Sequence, residues 1–199
     1  MQIEEKEIVK SNKNYRPTKD VYYWNIAKET AERGTCLSVK GGAVIVRDDQ
    51  IIATGYIGAP RGTMDCFERG FCMRRQLGIP SGQRYEICRS VHAEQNALLN
   101  AARAGVSVLG STVYLYFVKR QPEGGVKFVN AQPCFMCKKM LINCGVKRFV
   151  GNMEDGSLKE FSVEEWALDW KEHDMLDDKY VYDNKYTKEE ADAFKKLEK

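Results

Sequence analysis

The chain has 199 residues and a mass of 22.8 kDa, enough for one compact domain with an appendage and short for two. Its 43% hydrophobic and 30% charged residues exclude wholesale disorder and collagen-like repeats, and it has no run of about 18 apolar residues to span a membrane. The net charge of +3 is uneven: residues 151–199 hold 15 acidic and 8 basic residues and leave residues 1–150 about ten units positive, which suits an anionic ligand such as a nucleotide and equally a solvated basic surface.

The opening MQIEEKEIVKSNKNYRPTKD lacks the apolar core of a secretory signal, so a soluble, cytoplasmic protein is expected. Residues 20–33, DVYYWNIAKETAER, place apolar and aromatic residues at helical spacing and predict a first helix ending at Gly34. GGAVIVRDDQIIATGY predicts two strands joined by a hairpin at Asp48, Asp49 and Gln50. Residues 58–90, rich in Gly, Pro, Arg and Cys and without periodicity, read as a long structured insertion, either functional or held by something other than a hydrophobic core. SVHAEQNALLNAARAG predicts a helix with Ser90 as N-cap and Gly105 as terminator. STVYLYFV (111–118) predicts a strand, and RQPEGGVKFVNAQ a polar excursion with a small hairpin at Gly124 and Gly125. Pro133 opens a helix that carries CFMCKKMLINC and stops at Gly145, before the strand KRFVGN. The order helix, β, β, helix, β, helix, β predicts an α/β layered domain over residues 1–150. In the acidic extension 151–199, Phe161, Trp166, Leu168, Trp170 and Met175 lie among many acids, and packing on or capping the domain is its expected role.

Seven cysteines stand at 36, 66, 72, 88, 134, 137 and 144, beside two histidines, His92 and His173. An odd count without an export signal argues for metal ligation or buried thiols and against a disulfide framework. His92-Ala93-Glu94 opens one predicted helix, and Pro133-Cys134-Phe135-Met136-Cys137 opens another. Cys134 and Cys137, three apart on a helix, present both sulfurs on one face. Adding His92 makes three zinc ligands and leaves the fourth position open, the arrangement of a catalytic zinc. Both segments lie at helix N-termini, where the positive dipole end favours thiolate and anionic oxygen. Glu94 is near such a metal yet free to shuttle protons to and from water that zinc activates. A lone Cys-x-x-Cys would be half of a zinc ribbon or a redox pair, and a lone His-x-Glu means little. Together they form the H-x-E…P-C-x-x-C signature of zinc-dependent base deaminases.

On these residues the chain resembles the cytidine deaminase superfamily, and within it the deoxycytidylate (dCMP) deaminase family. The matching stretches are CLSVKGGAVIV, IIATGYIGAPRG, IPSGQRYEICRSVHAEQNALLNAAR and PCFMCKKMLINCGVKR, covering roughly residues 20–150. The resemblance implies a three-layer αβα sandwich around a five-stranded mixed sheet. It also implies hydrolytic deamination of dCMP to dUMP with release of ammonia, supplying dUMP for thymidylate synthesis. Glu94 would first accept the water proton and then deliver protons to N3 and the departing amine, while the Ala93 backbone helps hold the base. Some dCMP deaminases carry a second, structural zinc, and the resemblance places it at Cys36, Cys66, Cys72 and Cys88; four independent half-buried thiols are the alternative. Cys144, on the last turn of a helix, is most simply core. Many members are homohexamers, activated by dCTP and inhibited by dTTP. A hexamer, these effectors and a Mg2+ ion accompanying the nucleotide are expected by that likeness, with no membrane and no nucleic acid as partner.

For the substrate phosphate, Arg103 matches an arginine that the family uses in nucleotide handling and regulation, and Lys40 and Arg61 lie near the glycine-rich loop. One departure stands out. The family reads G-Y-N-G where this chain has Gly55-Tyr56-Ile57-Gly58, and isoleucine cannot make the hydrogen bond that the asparagine makes to the nucleoside. The 118–132 excursion is also longer than usual and could form one wall of the pocket. Rival readings are a deaminase of another nucleotide or base (a modified dCMP, dCTP, tRNA adenosine, a free base or a riboflavin precursor) and a non-catalytic, zinc-stabilised nucleotide sensor. Turnover of mononucleotides against RNA separates the first group. An inert protein fully loaded with zinc would indicate the second.

Overall fold

The computed structural model describes residues 16–79, 83–121 and 124–172. His173 and Met175 lie outside the described residues. One mixed sheet runs in the order β2-β1-β3-β5-β6, with a short β4 added to β3. Strands β1 (Val39–Arg47) and β2 (Gln50–Tyr56) form the expected hairpin. Its turn residues Asp48 and Asp49 both have positive φ, 51° and 63°, which matches the right-handed twist of the flanking strands. Strand β3 (Thr112–Arg120) is antiparallel to β1, β5 (Arg148–Asn152) is parallel to β3, and β6 (Leu158–Ser162) is antiparallel to β5.

The sheet has six strands where five were expected, and the register explains the sixth. β5 pairs with β3 only from Thr112 to Leu115, which leaves the far half of that edge open. Strand β4 (Val126–Phe128) folds back through Gly124 and Gly125, at φ 97° and 80°, and pairs with Val118–Arg120. Between the two, the Asn152 side chain fills the gap. It accepts from the Phe117 N–H (2.9 Å) and donates to the carbonyls of Phe117 (3.0 Å) and Val129 (2.9 Å), and it is fully buried.

Alternation along β1 divides the core. Val44 and Val46 face α1 (Lys19–Ala31), packing with Tyr23, Ala27, Ala31, Tyr114 and Val150. Ala43 and Ile45 face the opposite layer, with Ala97, Leu115, Leu141 and Phe149. That layer holds α4 (Ala93–Arg103), α5 (Phe135–Asn143) and α6 (Val163–Glu172), so the sandwich has three layers, αβα. Among the described residues no helix is long and apolar enough to cross a membrane. The insertion folds as two single-turn helices, α2 (Cys66–Arg69) and α3 (Met73–Gln76), and a 3-10 turn at Tyr85–Ile87.

Helix α4 lies against bare backbone. A Cβ on Gly55 of β2 would stand 2.2 Å from the Ala97 nitrogen and 2.5 Å from the Ala93 carbonyl oxygen. Asn96 and Asn100 then donate to the carbonyls of Tyr56 and Thr54, both at 2.7 Å, and cover part of an otherwise open strand edge. The helix is capped by His92 and not by Ser90. Val91 exchanges hydrogen bonds with Gly58 (2.8 and 3.3 Å), so the chain stays extended up to the histidine.

Replacing Asn152 by Leu leaves the Phe117 and Val129 backbone groups without partners, and should cost about 2–4 kcal/mol in urea unfolding. A second test concerns the ion network in which Arg148 donates to Asp20 (2.7 and 2.9 Å) and Glu160 (2.7 Å), and Tyr114 donates to Asp20 (2.8 Å). The Arg148 guanidinium holds both carboxyls below their ordinary values of 3.8 and 4.5. Their contribution is therefore complete above those values and is lost as the pH falls through the lowered ones. Thermal melts from pH 6 to pH 2 should show this acid loss, and Asp20→Asn should flatten it.

Candidate active site

The first turns of α4 and α5 converge. His92 caps α4, Glu94 is its second residue, Cys134 caps α5 and Cys137 follows one turn on. The approach of α5 is set by β5. A Cβ on Gly151 would lie 2.2 Å from the Ala131 carbonyl oxygen, and the Ala131 N–H donates to the Asn152 carbonyl at 2.7 Å. The segment before Cys134 is thus clamped to the end of a central strand.

The structure brings His92, Cys134 and Cys137 together. Cys134 Sγ is 3.4 Å from His92 Nδ1 and 3.6 Å from Cys137 Sγ, and Cys137 Sγ is 3.5 Å from His92 Nδ1. A tetrahedral zinc with ordinary bond lengths requires S···S of about 3.8 Å and S···N of about 3.6 Å. The donor set therefore fits zinc in type and in spacing. Among the described residues it is the group of three or more such donors that lies within 4.8 Å of one another.

The electrostatics of the metal-free triad follow from burial and mutual contact. The hydrogen bond from the Cys137 thiol, joined by the His92 ring, holds Cys134 down to about 4 in spite of burial. Cys137, which gives that bond, is pushed up by it, by burial and by Glu94. Burial works against a charge on His92, yet the Cys134 sulfur and the Glu94 carboxylate prevail and raise it. Glu94 is itself raised, chiefly by burial. A metal that needs two thiolates and a neutral imidazole must therefore displace protons as it binds.

Cys36, Cys66, Cys72 and Cys88 are all free, and Cys36 and Cys72 lie near both Cys66 and Cys88. Burial raises the thiols of Cys66 and Cys88, and Cys36 and Cys72 raise both further. Their sulfurs do not meet the 4.8 Å spacing that the His92 triad meets. Cys144, capping the end of α5, is partly buried against the core. Ala93 is fully buried at the start of α4. Ile57 is 5% exposed and lies over Gly41, so an apolar side chain occupies the position of the usual asparagine. Lys40 pairs with Glu32 at 2.5 Å, Arg61 donates to Asn100, and Arg103 is exposed in the last turn of α4.

Sequence reasoning missed Tyr85 and Arg74, both in the aperiodic insertion. The Tyr85 ring stands perpendicular to the His92 imidazole with centroids 4.8 Å apart, and Arg74 Cζ lies 4.8 Å from the centre of the Tyr85 ring. Nothing in their spacing announces this contact. A tyrosine seven residues before the histidine of the H-x-E motif is the sole hint.

Residues 17–153, more than half of the chain, match the family model described as the cytidine and deoxycytidylate deaminase zinc-binding region. The deoxycytidylate deaminase of Mycobacterium phage D29 is 35% identical over 140 residues, covering 68% of this chain and 94% of that protein. That of Schizosaccharomyces pombe is 35% identical over 136 residues, again 68% of this chain, but only 37% of the yeast protein's length. A solved structure of the dCMP deaminase from cyanophage S-TIM5, in complex with dCMP and dUMP, is 24% identical with a TM-score of 0.49 and covers 70% of this chain and 84% of its own. The matched region contains the converging helix starts and all three metal-type donors, and the chain belongs to the cytidine and deoxycytidylate deaminase family.

Proposed function

We propose that this chain is a zinc-dependent deaminase that hydrolyses the 4-amino group of dCMP, yielding dUMP and ammonia. The observation that carries the reading is the zinc-compatible spacing of His92, Cys134 and Cys137 with a buried Glu94 beside them. Zinc, held by those three side chains, would supply Lewis-acid activation of water at a position left open to solvent and substrate. Glu94 moves the protons: it takes one from that water and returns protons to N3 and to the leaving amine. Burial, which lifts its affinity for a proton, suits a group that must both accept and release one near neutral pH. The N-terminal ends of α4 and α5 meet at this point, and their dipoles would favour negative charge there. The choice of dCMP rests on the relatives, which bear the name deoxycytidylate deaminase, and on the basic body of the chain.

The same reading includes a structural zinc at Cys36, Cys66, Cys72 and Cys88. Burial, with Cys36 and Cys72 nearby, raises the Cys66 and Cys88 thiols, a cation would take their protons away, and the insertion that these cysteines flank has few apolar residues to hold it. It also includes a cytoplasmic homo-oligomer, a hexamer by family likeness, with dCTP and dTTP as effectors and Mg2+ accompanying them. Exposed Tyr56 and Leu99, on β2 and α4, offer apolar surface for such contacts.

Ammonia release from dCMP, dCTP, deoxycytidine and CMP, with zinc quantified in the same preparation, tests the reaction. Glu94→Gln should retain zinc and lose turnover by about a hundred- to ten-thousandfold, whereas Cys137→Ser should lose both. Full activity in Glu94→Gln would remove the proton-shuttle role. Two zincs per chain are expected in the unaltered protein, and Cys66→Ser should lower the content towards one with Cys134 and Cys137 still loaded. One zinc per chain from the outset would confine the metal to the catalytic centre.

A further inference from the structure

A cytosine held with C4 at the metal ligands carries its phosphate one ribose further out, where a cation must meet it if phosphate is to matter. Among the described contacts, none of the cations first suggested by the sequence touches His92 or a ring that packs on it. Lys40 is ion-paired with Glu32, and Arg61 bonds Asn100. Arg103 lies eleven residues beyond His92, about 16 Å along the helix axis.

Arg74 is placed differently. Its guanidinium covers the Tyr85 ring, and that ring abuts the imidazole of His92, so the cation stands no more than two ring contacts from the metal-site histidine. The three groups form a short file from the insertion to the first turn of α4. Arg74 is half-buried on α3, with its guanidinium over the Tyr85 ring. A guanidinium has five N–H donors in a rigid fork, so contacts to protein on one side are compatible with a bidentate phosphate on the other. Stacking on an aromatic face fixes the plane of that fork and lowers the ordering cost of binding.

We propose that Arg74 is the specificity-determining residue that reads the 5′-phosphate of the substrate, held in place by Tyr85, so that the cysteine-rich insertion selects a nucleoside monophosphate over a nucleoside. The assignment builds on the deaminase reading given above, and it adds a recognition role to a segment whose cysteines otherwise suggest structure alone.

The test compares dCMP with deoxycytidine in the unaltered protein, Arg74→Gln and Arg74→Lys. Loss of a charge-assisted bidentate contact should lower kcat/KM for dCMP about 10- to 100-fold in Arg74→Gln. The value for deoxycytidine should stay within about twofold, and Arg74→Lys should recover part of the loss. An equal fall for both substrates, or an unchanged value for dCMP, overturns the proposal. Binding of dUMP against deoxyuridine, followed by thermal shift, separates recognition from chemistry. If dUMP stabilises the unaltered protein more than deoxyuridine does and Arg74→Gln removes the difference, the assignment stands even where no turnover is seen, and only the deaminase reading fails. If the difference survives in Arg74→Gln, or dUMP does not bind the unaltered protein, the assignment fails whatever the turnover.

Discussion

The structure depends on one constraint: two helices must deliver their first turns to a single point with ångström accuracy. His92 and Glu94 arrive on α4, Cys134 and Cys137 on α5. Neither helix could be held so closely by side chains alone. Gly55 lets α4 rest on the backbone of β2, and Gly151 does the same for the Ala131 segment that leads into α5. Asn152 completes the clamp, acting as a piece of backbone in the gap between β4 and β5. Positions with almost no side chain, and one buried amide, thereby set the distances among metal-type donors.

A second support comes from the aromatic residues packed beside α5. Lys138, next to Cys137 and 9% exposed, lies 5.8 Å from the Phe135 ring and 5.3 Å from that of Trp166, and Trp170 packs on Phe135 with centroids 5.6 Å apart. A desolvated cation among aromatic faces contributes about 0.5–2 kcal/mol, and here it ties α6 to the helix that carries two metal donors. The β6–α6 unit, drawn from the acidic part of the chain, extends the sheet and covers the same layer as the site.

The insertion joins two chemistries. Burial, with Cys36 and Cys72 nearby, raises the Cys66 and Cys88 thiols on one side, and Tyr85 touches His92 on the other. Tyr85 is shifted upward by burial and by Cys134, with a smaller contribution from Cys88, so one ring senses both the metal-site sulfur and the insertion's own thiol.

Much of this was legible in the residues. Helical spacing marked α1, paired turn aspartates marked the β1–β2 hairpin, two glycines marked the β3–β4 turn, and H-x-E with P-C-x-x-C marked the side chains that the structure brings together, because metal-type donor sets and reverse turns tolerate few residue types. The strand count, the cap at His92 and the roles of Asn152, Gly151 and Gly55 were not legible. Each depends on a partner distant in sequence: Val91 is held extended by Gly58, β4 exists because β5 leaves half of β3 unpaired, and Gly55 must be small only because α4 crosses it. The contact of Tyr85 and Arg74 with His92 is of the same kind. The sequence by itself determined which side chains can do the chemistry, since ligand and proton-transfer capacity are properties of residue type. Only the tertiary structure decided their distances, their burial and hence their proton affinities, since these arise from which backbones can approach.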